Sequence, residues 1–129
     1  KANMMNFLVI DGAQDKIVFF SHFNKNSYNK SFDASKNNND KFSLLLSEFF
    51  NENNINLSKL NNIFVNQGPG KFSGIRNSIA VAKALAVTNK LDLYGFNSKD
   101  IKDANYMNII DLYNTGALIK NLIKPNYSS

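Results

Sequence analysis

Apolar positions along the chain fall first into short β-branched and aromatic runs and then into two longer stretches with helical spacing. Phe7-Leu8-Val9-Ile10 is a continuous apolar run closed by Asp11-Gly12, which predicts a strand buried on both faces and then a turn. A second strand is expected over Ile17 to Phe23, entered through Gln14-Asp15, and a weaker third over Ser27 to Asp33, with Tyr28 and Phe32 as its apolar positions. Strands joined by turns this short run antiparallel, so residues 7 to 33 read as a meander. Ser35 to Asn39 is polar and reads as a loop.

From Asp40 the period changes. Phe42, Leu45, Leu46, Phe49 and Phe50 fall at i, i+3, i+4, i+7 and i+8, the stripe of an amphipathic helix started by an Asn39 or Asp40 cap. Leu44 lies on the opposite face and is a candidate partner contact. Ser58-Lys59-Leu60 makes a turn, and Asn62-Ile63-Phe64-Val65 is a fourth strand, again buried. A second helix is expected up to Thr88, with Ser73 as its N-cap. Its residues Ile75, Ile79, Ala82, Leu85 and Ala86 share the face that should lie on the sheet. A second face of small or short side chains, Asn77, Ala80, Val81, Ala84 and Thr88, lets another helix axis approach closely, either the Phe42 helix or one on a partner. Leu91 to Phe96 reads as a fifth strand, with Ser98 capping a short helix through Ile101. Beyond that, Tyr106 to Leu112 reads as a strand, and Thr115-Gly116 opens a helix through Ile123. A hairpin turning at Asn114-Thr115-Gly116 is the alternative.

Between the fourth strand and the second helix stands Gly68-Pro69-Gly70-Lys71-Phe72-Ser73-Gly74-Ile75-Arg76, with three of the six glycines, one of the two prolines and the only arginine. Lysine outnumbers arginine fourteen to one, so Arg76 is expected for its planar five-donor fork rather than for bare charge. Two phosphate-binding patterns come near this loop and miss. A P-loop needs glycine where Val65 stands and Ser or Thr where Phe72 stands. A dinucleotide fingerprint needs glycine at Ser73, and Pro69 removes a backbone donor. The carboxylate of Asp11, with Gly12 after it, can hold a metal-nucleotide at the end of a first strand, or it caps the turn.

A length of 129 residues, 43% hydrophobic content and eleven phenylalanines fit one globular domain with a core. There is no cysteine and only one histidine, His22, which excludes a thiolate metal site and the usual nucleophile–base pairs. No catalytic and no metal-binding residues are therefore expected. The net charge of +5 and isoelectric point near 9.4 would suit a nucleic-acid partner, but the lysines are scattered among asparagines rather than gathered in a stripe. No apolar run approaches the roughly 20 residues of a membrane span, so no membrane contact and a cytoplasmic location are expected.

The loop and the helical stretch after it, Ile79-Ala80-Val81-Ala82-Lys83-Ala84-Leu85-Ala86, resemble the GPGSFTGxRxGxxxAKGLA signature of the TsaB (YeaZ) family, which acts in tRNA threonylcarbamoyladenosine biosynthesis. The surroundings agree: Leu8-Val9-Ile10-Asp11-Gly12 resembles that family's opening strand, and Leu93-Tyr94-Gly95-Phe96-Asn97-Ser98 its later strand and turn. The likeness covers residues 5 to 101, read as the family's N-terminal domain, with 102 to 129 as a short remnant in place of the second domain. It implies an α/β fold of the ribonuclease-H-like, actin-like ATPase type: a mixed sheet, meander plus parallel strands, flanked by helices. It also implies a non-catalytic scaffold within the glycoprotease superfamily. The scaffold would bind a TsaD-like threonylcarbamoyltransferase through two helices, corresponding here to Asp40–Asn53 and Ser73–Thr88, with a TsaE-like ATPase joining the complex. Leu44, Asn77, Ala80, Val81 and Ala84 become its partner-binding residues, and Gly68, Pro69, Gly70, Phe72, Ser73, Gly74 and Arg76 its motif. No cofactor is expected on the chain alone; ATP and magnesium would belong to the complex, tRNA would be contacted indirectly, and the isolated chain would pair with a second copy. Lys71 and Ser78 depart from the signature, and Asn37-Asn38-Asn39 replaces a His-Ser-Glu-like segment. The competing reading is a small nucleotide-binding or hydrolysing enzyme using Asp11, Gly12 and the Gly68–Gly74 loop.

Overall fold

The computed structural model describes residues 5–121 and 123–127, with the side chain of Phe72 outside the described part. Three strands, β1 (Phe7–Asp11), β2 (Lys16–Phe23) and β3 (Asn26–Asp33), form the expected antiparallel meander. Parallel strands β4 (Asn62–Asn66) and β5 (Asp92–Phe96) extend it from β1, and the two-residue β6 (Ile119–Lys120) closes the far edge antiparallel to β5. The order across the sheet is β3-β2-β1-β4-β5-β6. All five residues of β1 and of β4 are buried, as continuous apolar strands inside a two-faced sheet should be.

Alternation along the strands sends Leu8, Ile10, Ile17, Phe19, Ile63, Val65 and Leu93 to one face. Helices α2 (Phe42–Glu52) and α3 (Phe72–Asn89) cover that face. Phe42, Leu45, Leu46, Phe49 and Phe50 are all buried, as the stripe predicts, and so are Ile75, Ile79, Ala82 and Ala86 of α3. Leu85 is partly buried against the same core. Phe7, Val9, Phe20, Phe64 and Phe96 point to the other face, where Tyr106 and Ile109 pack on them. Edge-to-face pairs such as Phe7–Phe64, at 5.5 Å between centroids, and Tyr94–Tyr113, at 5.2 Å, organise this second layer. His22 belongs to it, buried, ring-stacked on Phe7 at 6.0 Å and with Nδ1 3.2 Å from Ser27 Oγ.

The structure corrects the sequence reading at several points. Ser35 to Asn39 is not a loop: Ser35 accepts a hydrogen bond from the Asn38 amide at 3.1 Å and starts the short helix α1 (Lys36–Asp40). Helix α2 consequently begins after Lys41, which offers no side-chain cap, rather than at an Asn39 or Asp40 cap. Helix α3 begins at Phe72 after Lys71, so Ser73 lies inside the first turn and is not the cap. Asn97, not Ser98, caps the 3-10 turn Ser98–Asp100. The stretch from Tyr106 to Leu112 is not a strand but leads into helix α4 (Asn108–Asn114), whose apolar side rests on the sheet. Thr115-Gly116 opens no helix, and the next segment of chain supplies β6. No hairpin turns at Asn114 to Gly116, because β6 pairs with β5.

Candidate functional site

The carboxyl ends of β1 and β4 meet at a buried polar cluster on the second face of the sheet. Asp11 is fully buried, and each of its oxygens receives two hydrogen bonds from the chain itself. Oδ1 accepts from the Ala13 amide at 3.2 Å and from Asn66 Nδ2 at 3.0 Å. Oδ2 accepts from Gln14 Nε2 at 3.1 Å and from the Tyr106 hydroxyl at 2.7 Å. Burial, reinforced by the adjacent carboxylate, pushes the Tyr106 phenol far above the ordinary tyrosine range, so its proton stays on the hydroxyl and points at Asp11. Asp11 thus acts as an acceptor hub that caps its own turn. Asn66, Ser98 and Tyr106 were missed in the sequence; a polar residue ending an apolar strand, as Asn66 does, is the signal that marks one of them.

The glycine loop sits against this hub. Asn66 Oδ1 accepts from the Gly68 amide at 2.8 Å, Gly68 O from the Ser98 amide at 2.9 Å, and Pro69 O from Ser98 Oγ at 2.8 Å. Gly68–Pro69 is a cis peptide. The returning end of the chain clamps the loop from outside, with the Asn126 amide donating to Gln67 O at 2.7 Å and Gly70 bridging to Tyr127. From inside, the turn after β1 presses on it. The Lys71 amide donates to Ala13 O at 3.1 Å, and a Cβ on Gly70 would stand 2.7 Å from that of Ala13. Gly12 and Gly74 meet backbone to backbone, so a Cβ on Gly74 would lie 2.9 Å from the Gly12 carbonyl carbon and nearer still to its oxygen. The glycines therefore serve a close approach of two chain segments. Ser73 and Arg76 are exposed beside a cavity formed by Gly12, α1 and α3.

A second surface lies between α2 and α3. Asn77 Nδ2 donates to Asn39 O at 3.0 Å and to Asn39 Oδ1 at 3.1 Å, tying α3 to α1. Next to this tie the helices leave a shallow hollow of about 400 Å³, bordered by Leu44, Asn77, Ala80 and Val81. A second hollow of about 400 Å³, more apolar, continues along the helices past Ala84, Leu46 and Phe50. The five residues singled out for a partner thus border one continuous groove, and Leu44 stands 54% exposed at its rim. The small-residue face of α3 touches the other helices only in part.

Comparison with known proteins decides the family. A family model described as TsaD, tRNA N6-adenosine threonylcarbamoyltransferase, matches residues 24–102. A curated relative, the tRNA threonylcarbamoyladenosine biosynthesis protein TsaB of Buchnera aphidicola subsp. Schizaphis graminum (strain Sg), is 30% identical over 94 residues. The chain belongs to this family as a TsaB (YeaZ) member. The matched stretch is 73% of this chain and 45% of the Buchnera protein, so the chain spans about half the length of the curated relative it matches. YeaZ from Pseudomonas aeruginosa superposes with a TM-score of 0.67 at 18% identity, over 73% of this chain and 44% of that one. A second Pseudomonas aeruginosa structure, described as an uncharacterized protein with similarity to peptidase YEAZ, gives the same values. These likenesses establish the ribonuclease-H-like, actin-like ATPase fold.

Within the TsaB pattern, the departures have visible consequences. Ser78, standing where the signature has glycine, is fully buried and donates to Ile75 O at 3.1 Å. Asn37-Asn38-Asn39 forms α1 and supplies the Asn39 acceptors of Asn77. Lys71 is exposed and reaches Asp15 at 3.0 Å. Among the described residues, no group of three or more histidines and carboxylates is placed to hold a metal ion, and no helix is long and apolar enough to cross a membrane.

Proposed function

We propose that this TsaB chain is a scaffold subunit without catalytic residues of its own, which binds and supports a TsaD-like threonylcarbamoyltransferase in tRNA threonylcarbamoyladenosine modification. The observation that carries the reading is the groove between α2 and α3. Leu44, Asn77, Ala80, Val81 and Ala84 border it together, and an exposed leucine beside small residues is what a packed helix contact requires. The state of Asp11 favours the scaffold over the nucleotide enzyme. Its four hydrogen bonds come from protein donors, so the carboxylate is already satisfied within the chain rather than left open for a metal-nucleotide. In this reading a TsaE-like ATPase joins the pair, ATP and magnesium act in the complex, tRNA is engaged through the complex in the cytoplasm, and two copies pair through the groove when the partner is absent.

Capture of the cognate TsaD-like protein on the immobilised chain tests this. Ala80 is exposed, so Ala80→Arg leaves the free chain folded but places a charge in the groove, where an unpaired buried arginine costs several kcal/mol. The expected result is micromolar capture by the wild type and its loss in the variant at unchanged melting temperature. No complex at micromolar concentration, or a complex indifferent to Ala80→Arg, overturns the reading. Calorimetry with ATP and magnesium on the chain alone addresses the nucleotide enzyme: tight, magnesium-dependent binding of ATP by the isolated chain would favour it instead.

A further inference from the structure

Strand β3 forms one edge of the sheet, and its outward side is open. The Asn24-Lys25 turn has both residues at positive φ, and the Ala34 amide donates to Asp15 O at 3.1 Å, so Asn26, Tyr28, Lys30 and Phe32 direct their backbone groups at β2. Ser27, Asn29 and Ser31 therefore direct theirs away from the sheet, and among the described residues no group pairs with those three amides and carbonyls. The devices that guard such an edge are missing. All eight residues of β3 pair with β2 in unbroken register, without bulge or proline. Its one lysine, Lys30, is drawn back over the helical face, with Nζ 3.0 Å from Glu52 of α2 and 5.9 Å from the centre of the Phe32 ring.

The edge is also complementary to itself. When two copies of β3 run antiparallel with Asn29 opposite Asn29, Ser27 faces Ser31, and the open amides and carbonyls of the two copies meet in about six backbone hydrogen bonds. In that register Lys30 faces Tyr28. The exposed Lys25, which has no ion pair among the described residues, comes opposite Asp33, of which Lys16 holds only Oδ1. The neighbouring register centred on Lys30 sets like charges against each other, and the one centred on Tyr28 takes Lys25 away from Asp33. We propose that β3 is a self-association edge, to which a second copy of this chain adds antiparallel so that the two six-stranded sheets join into one. No β3 residue borders the groove between α2 and α3, so the pair leaves both grooves open and does not depend on what the groove binds.

Sedimentation equilibrium of the full chain reads the association, and the mass should double between about 10 µM and about 1 mM, because a contact of one strand is below the size of a standard interface. Ala80→Arg, which blocks the groove, should leave this doubling unchanged. Lys25→Asp and Asp33→Lys should each weaken the pair roughly tenfold through its two symmetric charge contacts, and Lys25→Asp/Asp33→Lys should restore it. Asn29→Pro removes one outward amide and spares the ladder to β2, so it should abolish the pair at a melting temperature close to that of the wild type. Amide exchange followed by NMR locates the contact: the Ser27, Asn29 and Ser31 amides should gain protection as concentration rises, whereas those of Tyr28 and Lys30 are protected throughout. A monomer at about 1 mM, or a dimer lost in Ala80→Arg and kept in Asn29→Pro, overturns the proposal, as does a double charge reversal that fails to rescue. Protection of the three amides only when a TsaD-like protein is added would assign the edge to that partner and overturn the pairing of copies.

Discussion

Gly74→Ala is the substitution that most directly tests the packing of the glycine loop. The added Cβ would lie 2.9 Å from the Gly12 carbonyl carbon, against the roughly 3.5 to 4.0 Å of a comfortable carbon contact, with the carbonyl oxygen nearer still. Neither side yields easily. β1 is held in ladders by β2 on one side and β4 on the other, and the start of α3 is fixed by the fully buried Ile75 and by the Lys71 amide on Ala13 O. Overpacking against such backbone typically costs about 1–3 kcal/mol, and the pinning on both sides places this site at or above the upper end. Alanine returns at most about 1 kcal/mol of helix propensity. The net expectation is a loss of about 2 kcal/mol, which for a domain of this size lowers the melting temperature by roughly 6–10 °C. The chain has no tryptophan, so urea unfolding is followed by circular dichroism, with Ser73→Ala at the exposed neighbouring position as the control. A Gly74→Ala midpoint equal to or above that of the wild type, at unchanged slope, would refute the close-approach account.

Two further predictions concern the hub at Asp11. Tyr106→Phe removes the 2.7 Å hydrogen bond to Oδ2 and should cost about 1–3 kcal/mol in a urea titration at neutral pH. Because the phenol is raised in the folded state, its contribution is complete below the ordinary tyrosine value near 10 and is lost as pH rises above it; wild-type stability should therefore fall above about pH 10, with less fall in Tyr106→Phe. Asn66→Asp sets a second buried carboxylate against Asp11 in place of the amide donor, and should cost about 3–5 kcal/mol at pH 7. A melting temperature of Asn66→Asp equal to that of the wild type would show that the two carboxylates do not interact.

The meander, the two long helices and the parallel strands were legible because each obeys a single period. The run Phe7 to Ile10 is apolar throughout because both faces of the sheet are covered, and Phe42 to Phe50 recurs as a stripe because one side of α2 meets the sheet. The segment after Asp100 was misread because apolar density alone does not separate a strand from a helix lying on a sheet. Tyr106, Ile109, Ile110 and Tyr113 recur at i, i+3, i+4 and i+7, and that spacing was the available signal. Helix α1 carries no apolar stripe at all; it is nucleated by the Ser35 cap and by Asn38 Nδ2 reaching Asp33 O at 2.8 Å, which no periodicity can reveal. At the candidate site the loop and the groove residues were legible from motif and face. The hub was legible only in part: Asp11 capping its own turn through positions 13 and 14 is local, whereas its donors at positions 66 and 106 are brought to it only by folding.

The hub at Asp11 also constrains how this sequence can drift over generations. A mutation that removes the carboxylate takes an acceptor from two buried side-chain donors, Asn66 and Tyr106, while a mutation of either leaves the acid short of a partner. Single steps are therefore penalised in both directions, and the three buried positions should be inherited as a set. In lineages where Asp11 has been replaced, Asn66 and Tyr106 should have changed with it, leaving a trace of correlated substitution between residues up to 95 positions apart in the chain.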